Sequence, residues 1–180
     1  MLWKASLAVV ILLVVVVFVG LRLQSTAYVE STLNVPVAQV WNAWKDPELM
    51  KQWWGPDGYT APVVKNNLKV GGTYLLAMQS PEGELFYNAG TYTEVVENQR
   101  IVSSLVFSDE NGTALKGDQI PVPGNWPDEV KVTVEFKDLG DGRTFISIEE
   151  VGILLIMKLF AQMGWKQQFV KLEKLLNPAK

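Results

Sequence analysis

The sequence predicts an α+β domain in which a curved antiparallel sheet of about seven strands wraps a long carboxy-terminal helix, with an amino-terminal transmembrane helix ahead of it. Three observations carry that expectation. An uncharged apolar run extends from Ala5 to Leu21; period-two segments follow one another from Tyr28 to Val151; and apolar residues recur at helical spacing in Val37–Trp44 and again in Trp165–Leu176.

The apolar run has 17 residues and is bounded by Lys4 and Arg22. Counted out to Leu2 and Leu23 it is about 33 Å long as a helix at 1.5 Å per residue, against a hydrocarbon core of about 30 Å. Ser25-Thr26-Ala27 offers the small residues of a cleavage site. An apolar stretch beyond about 15 residues is nevertheless too long for the usual signal peptide, so an uncleaved anchor is expected. The short leading tail with Lys4 places the amino terminus inside and the domain outside the membrane, a single-pass extracytoplasmic arrangement. The chain then divides into an anchor and tether over residues 1–26 and a folded domain over residues 27–180. From Arg22 to Tyr28 the tether spans at most about 20 Å, at 3.3–3.6 Å per residue, which would hold the domain at the headgroups.

Tyr28 to Val35 reads as a first strand, and Pro36 opens a helix because proline suits the first turn. Val37, Val40, Trp41 and Trp44 form its apolar stripe; Asp46-Pro47 ends it and starts a second short helix through Leu49, Met50 and Trp53. Gly55-Pro56-Asp57-Gly58 is a turn. Six further strands are predicted over residues 60–65, 72–79, 85–96, 101–107, 130–139 and 144–151. A long loop holding Pro121, Pro123 and Pro127 precedes the fifth of them. Val130, Val132, Val134 and Phe136 alternate with Lys131, Thr133, Glu135 and Lys137, as in an antiparallel sheet with one wet face. Trp165, Phe169, Leu172 and Leu176 mark the last helix. Asp109-Glu110-Asn111-Gly112 reads as a turn, since the ligand spacing of an EF-hand loop is missing.

Composition removes many functions. The 180 residues contain no cysteine and no histidine, which excludes disulfides, thiolate or imidazole metal sites and Cys-His or Ser-His nucleophilic pairs. A net charge of −3 offers no basic field to nucleic acid. No catalytic residues, metal ligands or cofactor-binding pattern emerge, and no enzyme activity is expected. What stands out is tryptophan: four of the seven, Trp41, Trp44, Trp53 and Trp54, fall within about fifteen residues, and each removes roughly 150–250 Å² from water when buried.

Val40-Trp41-Asn42-Ala43-Trp44, Asp46-Pro47-Glu48-Leu49, Trp53-Trp54-Gly55-Pro56, Val70-Gly71-Gly72-Thr73-Tyr74, Gly90-Thr91-Tyr92 and Gly164-Trp165 follow one another in a familiar order. In this the chain, from Tyr28 to Leu176, resembles bacterial homologues of the activator domain of the heat-shock protein 90 ATPase. That family belongs to the helix-grip superfamily with the steroidogenic-acute-regulatory (START-like) lipid-transfer domains, birch-pollen-allergen-like proteins and polyketide cyclases. The resemblance implies a deep apolar cavity between sheet and final helix that holds a hydrophobic small molecule or a lipid.

Strand parity nominates the cavity lining. Tyr74, Leu76 and Met78 share one face, as do Tyr92 and Gly90, and Val132, Val134 and Phe136; Phe107 is added from the strand between. Trp165 and Phe169 face them from the helix, Phe160 lies nearer its start, and Trp53 and Trp54 are expected to divide their roles, one packing and one near the mouth. Glu149 and Glu150 point to opposite faces of a strand, both ends expected in solvent. Val151 to Phe160 is expected to be helical and too apolar for one buried stripe; it either fills the broad end of the core or, over Ile153–Phe160, forms a greasy lip at the cavity mouth touching the membrane. The expected function is membrane-anchored binding of a hydrophobic molecule or lipid without covalent chemistry. A protein-interaction module, co-chaperone-like or an accessory subunit of a membrane complex, is the alternative, and a cyclase or aromatase comes third. A large open-mouthed pocket favours binding; a filled cavity with an exposed apolar patch favours interaction.

Overall fold

The computed structural model describes residues 2–122 and 124–178, with the backbone alone at residues 2–8 and 11. A helix α1 (Leu2–Gly20) leads into strand β1 (Gln24–Leu33), helices α2 (Val37–Lys45) and α3 (Pro47–Trp53), and strands β2 (Thr60–Asn66), β3 (Thr73–Gln79), β4 (Leu85–Val96) and β5 (Arg100–Ser108). Strands β6 (Val130–Asp138) and β7 (Thr144–Leu154) follow, then a 3-10 turn over Leu155–Met157 and the long helix α4 (Lys158–Leu176). The strands form one antiparallel sheet in the order β1-β7-β6-β5-β4-β3-β2. All seven expected strands are present, most within one or two residues of their expected ends.

Local chemistry explains the boundaries. Asp46 ends α2 and caps α3, its carboxylate accepting from the backbone N–H of Glu48 at 2.8 Å, with Pro47 in the first turn where a missing N–H costs nothing. The turn before β3 is closed by two backbone bonds, Gly71 N–H to Tyr92 O and Tyr92 N–H to Gly72 O. Any side chain at Gly72 would overlap the Asn67 carbonyl, so Gly71-Gly72 serve a tight turn. β2 forms one edge of the sheet, carries Pro62, and its pairing with β3 breaks between Thr60 and Val63.

Two expectations are corrected here. The first is the transmembrane helix and with it the single-pass, extracytoplasmic localisation: among the described residues no helix is long and apolar enough to cross a membrane. The side chains of residues 1–8 and 11, which that expectation also used, lie outside the described residues. Those described in α1 begin at Val9, and the helix ends at Gly20. Past Leu23 the chain is already strand: β1 takes in Gln24, Ser25 and Thr26 and pairs with the end of β7. The end of α1 rests on the domain, where Leu21 O accepts from Asn125 N–H at 2.8 Å and Leu23 O from Leu155 N–H at 2.8 Å.

The second correction concerns Ile153–Phe160, which is not one apolar helix. β7 continues to Leu154, burying Ile153 and Leu154; the 3-10 turn follows, and only Lys158 onward is α-helical. The strand persists because Gln24 and Ser25 of β1 supply partners for Leu154 and Ile153. Of the prolines in the loop before β6, Pro123 lies outside the described residues; the rest of that loop runs beside α1 and β5, with Trp126 edge-on to Phe107 at 4.9 Å.

Candidate functional site

The concave face of the sheet, α2, α3 and α4 enclose a core built around aromatic rings. Trp44 is its hub, 5.0 Å from Trp53, 6.1 Å from Trp54, 5.8 Å from Phe136 and stacked on Trp165 at 6.1 Å. The helical spacing of Val40, Trp41 and Trp44 puts these residues on the buried side of α2, and Trp53-Trp54 lies where α3 gives way to the turn. That turn is tied to α4: Gly55 N–H donates to Gln168 Oε1 at 2.8 Å, and Lys171 Nζ donates to Gly55 O at 2.8 Å and Tyr59 O at 3.3 Å. Partial burial there pushes the Lys171 ammonium below its ordinary range.

Within this core lies a cavity of about 30 Å³ lined by Trp44, Met50, Trp54, Tyr74, Leu76, Tyr92, Ile101, Ser103, Leu105, Val132, Val134 and Trp165. Of the nominated residues it brings together Trp54, Tyr74, Leu76, Tyr92, Val132, Val134 and Trp165. The others lie elsewhere. Trp53 is fully buried, its Nε1–H donating to Ala43 O at 3.0 Å. Phe136 packs edge-on against Trp41 and Trp44, and Phe169 packs beneath Trp165. Met78 sits by Gly55, Phe107 by Trp126, and Phe160 stands in solvent on the first turn of α4. Trp53 is thus packed within the core and Trp54 lines the cavity. Of the lining residues outside the nominated set, Ile101, Ser103 and Leu105 share parity with Phe107. Trp44 and Met50 carried only the signal of a buried stripe.

The polar groups around the cavity are few and strongly perturbed. Tyr74 donates its hydroxyl to Ser104 O at 2.7 Å, and Tyr92 donates to Asn66 Oδ1 at 2.7 Å. Burial holds both phenols protonated well above their usual range. A side chain at Gly90, paired with Tyr74 across the strands, would collide with the Tyr74 hydroxyl and the Ser104 carbonyl, so glycine there makes room for the ring.

Glu150 corrects the expectation for the Glu149-Glu150 pair. Glu149 is exposed, but Glu150 is buried between Ala27 and Val132, its Oε1 accepting from Trp165 Nε1–H at 3.0 Å. Burial raises its carboxyl above the ordinary range, with the indole bond working against the shift. Alternation along β7 turns one of the two inward, and no local signal says which, because the partner Trp165 comes from α4.

A second concavity of about 450 Å³ lies on the opposite face of the sheet, between β2–β5 and the turn at Asn111-Gly112. Its floor is Leu75, Ala89 and Val106 and its rim Lys65, Thr73, Thr91, Ser104 and Asn111.

A seven-stranded antiparallel sheet closed by a carboxy-terminal helix over an internal cavity defines the class: a ligand-binding or interaction domain of the helix-grip fold. Residues 34–177 match the family model described as activator of Hsp90 ATPase homolog 1-like protein, and the chain belongs to that family. No curated protein matches it. Among solved structures, a protein from Chromobacterium violaceum is similar at 25% identity and TM-score 0.70, covering 86% of this chain and 98% of that one. A protein from Nitrosomonas europaea is similar at 27% identity and TM-score 0.64, covering 84% and 93%. One from Mycobacterium smegmatis, at 20% identity, shares the fold at TM-score 0.71 over 86% and 92%.

Proposed function

We propose that this domain binds a compact hydrophobic molecule in the cavity between sheet and α4, without covalent chemistry. The observation that carries the reading is the cavity's unpaired polarity. Cores packed only for stability leave few buried polar atoms without partners. Of the four so left among the described residues, two belong to side chains that line it, Nε1 of Trp44 and of Trp54. The volume sets the limit: about 30 Å³ is the room of one water molecule, so an acyl chain does not fit the closed form. A guest enters only as the aromatic wall parts, and Trp54, at the carboxy-terminal cap of α3, is the wall residue nearest a turn.

The test uses N-phenyl-1-naphthylamine, a neutral apolar fluorophore. The parent should bind it saturably. Ser103→Ile, which fills the void from β5, should abolish binding while the protein stays folded. No binding by the parent, or equal binding by the folded variant, would remove the assignment.

A second reading, a protein-interaction module, is favoured by the small size of the cavity together with a specific surface. Leu155, Leu159, Phe160 and Met163 are all exposed around the first turns of α4. The family description names an activator of an ATPase, so the assay is stimulation of a purified Hsp90-type ATPase, with Leu159→Ser/Phe160→Ser as the variant that should lose it.

A further inference from the structure

The two unpaired donors say what kind of molecule fits. An indole N–H can donate and cannot accept. Trp53, Trp126 and Trp165 each place theirs on an oxygen, at 3.0, 2.9 and 3.0 Å. Trp44 and Trp54 do not, although their rings are 6.1 Å apart and both side chains line the same cavity. Buried donors without acceptors carry the full cost of lost hydration, and an acceptor oxygen between them removes it. The phenols of Tyr74 and Tyr92 are already committed to Ser104 O and Asn66 Oδ1, so they do not compete for the incoming group as donors.

Resting on the binding reading above, we propose that the cavity selects a neutral carbonyl compound, a ketone, aldehyde or ester on a compact apolar body, whose oxygen is received by the Nε1–H groups of Trp44 and Trp54. Other chemistries fit less well. A hydrocarbon leaves both donors unmet, and an ammonium brings donors to donors. A carboxylate would have to shed its hydration in a wall that holds no cationic side chain.

The experiment compares cyclohexanone with methylenecyclohexane, nearly the same shape with and without the oxygen, on the full chain. In proton–nitrogen correlation spectra cyclohexanone should move the Nε1–H resonances of Trp44 and Trp54 downfield, and methylenecyclohexane should not. Trp54→Phe keeps an aromatic ring and deletes one donor. It should weaken cyclohexanone binding about tenfold, the scale of one hydrogen bond to a donor otherwise left unmet, and change methylenecyclohexane by less than about twofold. If the variant fails to fold, the parent's spectra decide alone. Saturable binding of both probes with the two indole resonances unmoved would overturn the carbonyl assignment and leave the binding reading standing. Failure of both probes to bind would overturn the two together.

Discussion

The two halves of α4 carry similar amounts of apolar side chain and behave oppositely. In the first half Leu159 is 70% exposed, Phe160 64% and Met163 59%; in the second Phe169 is 1% exposed and Leu172 0%, with Val170 at 50% on the outer side. The helix packs on β1, α3 and α2; Phe169 and Leu172 belong to its buried side, whereas Leu159, Phe160 and Met163, soon after the 3-10 turn, are left uncovered. Apolar content therefore does not locate the core of this molecule. What locates it is whether another element stands opposite.

That contrast is broken most directly by Phe169→Ala, which should destabilise by about 3–5 kcal/mol in urea unfolding, as buried aromatic truncations do. A loss below about 1 kcal/mol would mean the second half is not core. Gln168→Ala comes next. It strands the Gly55 N–H that Gln168 Oε1 now accepts and should cost about 1–3 kcal/mol, while a cost near zero would show that the turn is not held by α4.

Glu150→Gln sharpens the contrast through pH. Because burial raises the carboxyl, the folded chain holds that proton to higher pH than the unfolded chain. Its contribution is fully present below the ordinary carboxylate range, about 4.5, and is lost as pH climbs toward the raised value. The amide keeps an acceptor for Trp165 without the charge. The variant's melting temperature should therefore match the parent's trend at pH 4 and rise above it by pH 8; parallel curves would count against a buried acid. The smallest effect belongs to Leu159→Ser, expected within about 0.5 kcal/mol of the parent because the side chain has nothing to leave.

The sheet was legible in the sequence because period-two runs end in turn residues: Pro81-Glu82-Gly83 and Gly140-Asp141-Gly142 separate strands where they were expected. The small helices were legible from Pro36 and Asp46-Pro47. The end of β7 was not. Gly152 to Leu154 becomes strand through the pairing of Ile153 and Leu154 with Ser25 and Gln24, a contact with more than a hundred residues between its partners, which no local pattern encodes. The same limit explains the site. Parity places a side chain on the right face, as with Tyr74, Leu76 and Val134. Whether that face meets a void or a packed ring, as at Phe136 and Phe169, depends on how far the helices approach.

The break in β2 has a consequence for how the molecule behaves in a crowd. An open sheet ends in strands whose free N–H and C=O groups invite a neighbouring chain to add itself, which is how sheets grow into aggregates. Here the β2 edge includes Pro62, which has no N–H to offer, exposed Lys65, whose charge resists stacking, and a pairing register that slips between Thr60 and Val63. A strand laid along that edge would find an interrupted ladder. The sheet is finished on that side by its own covalent chemistry, with no cap required.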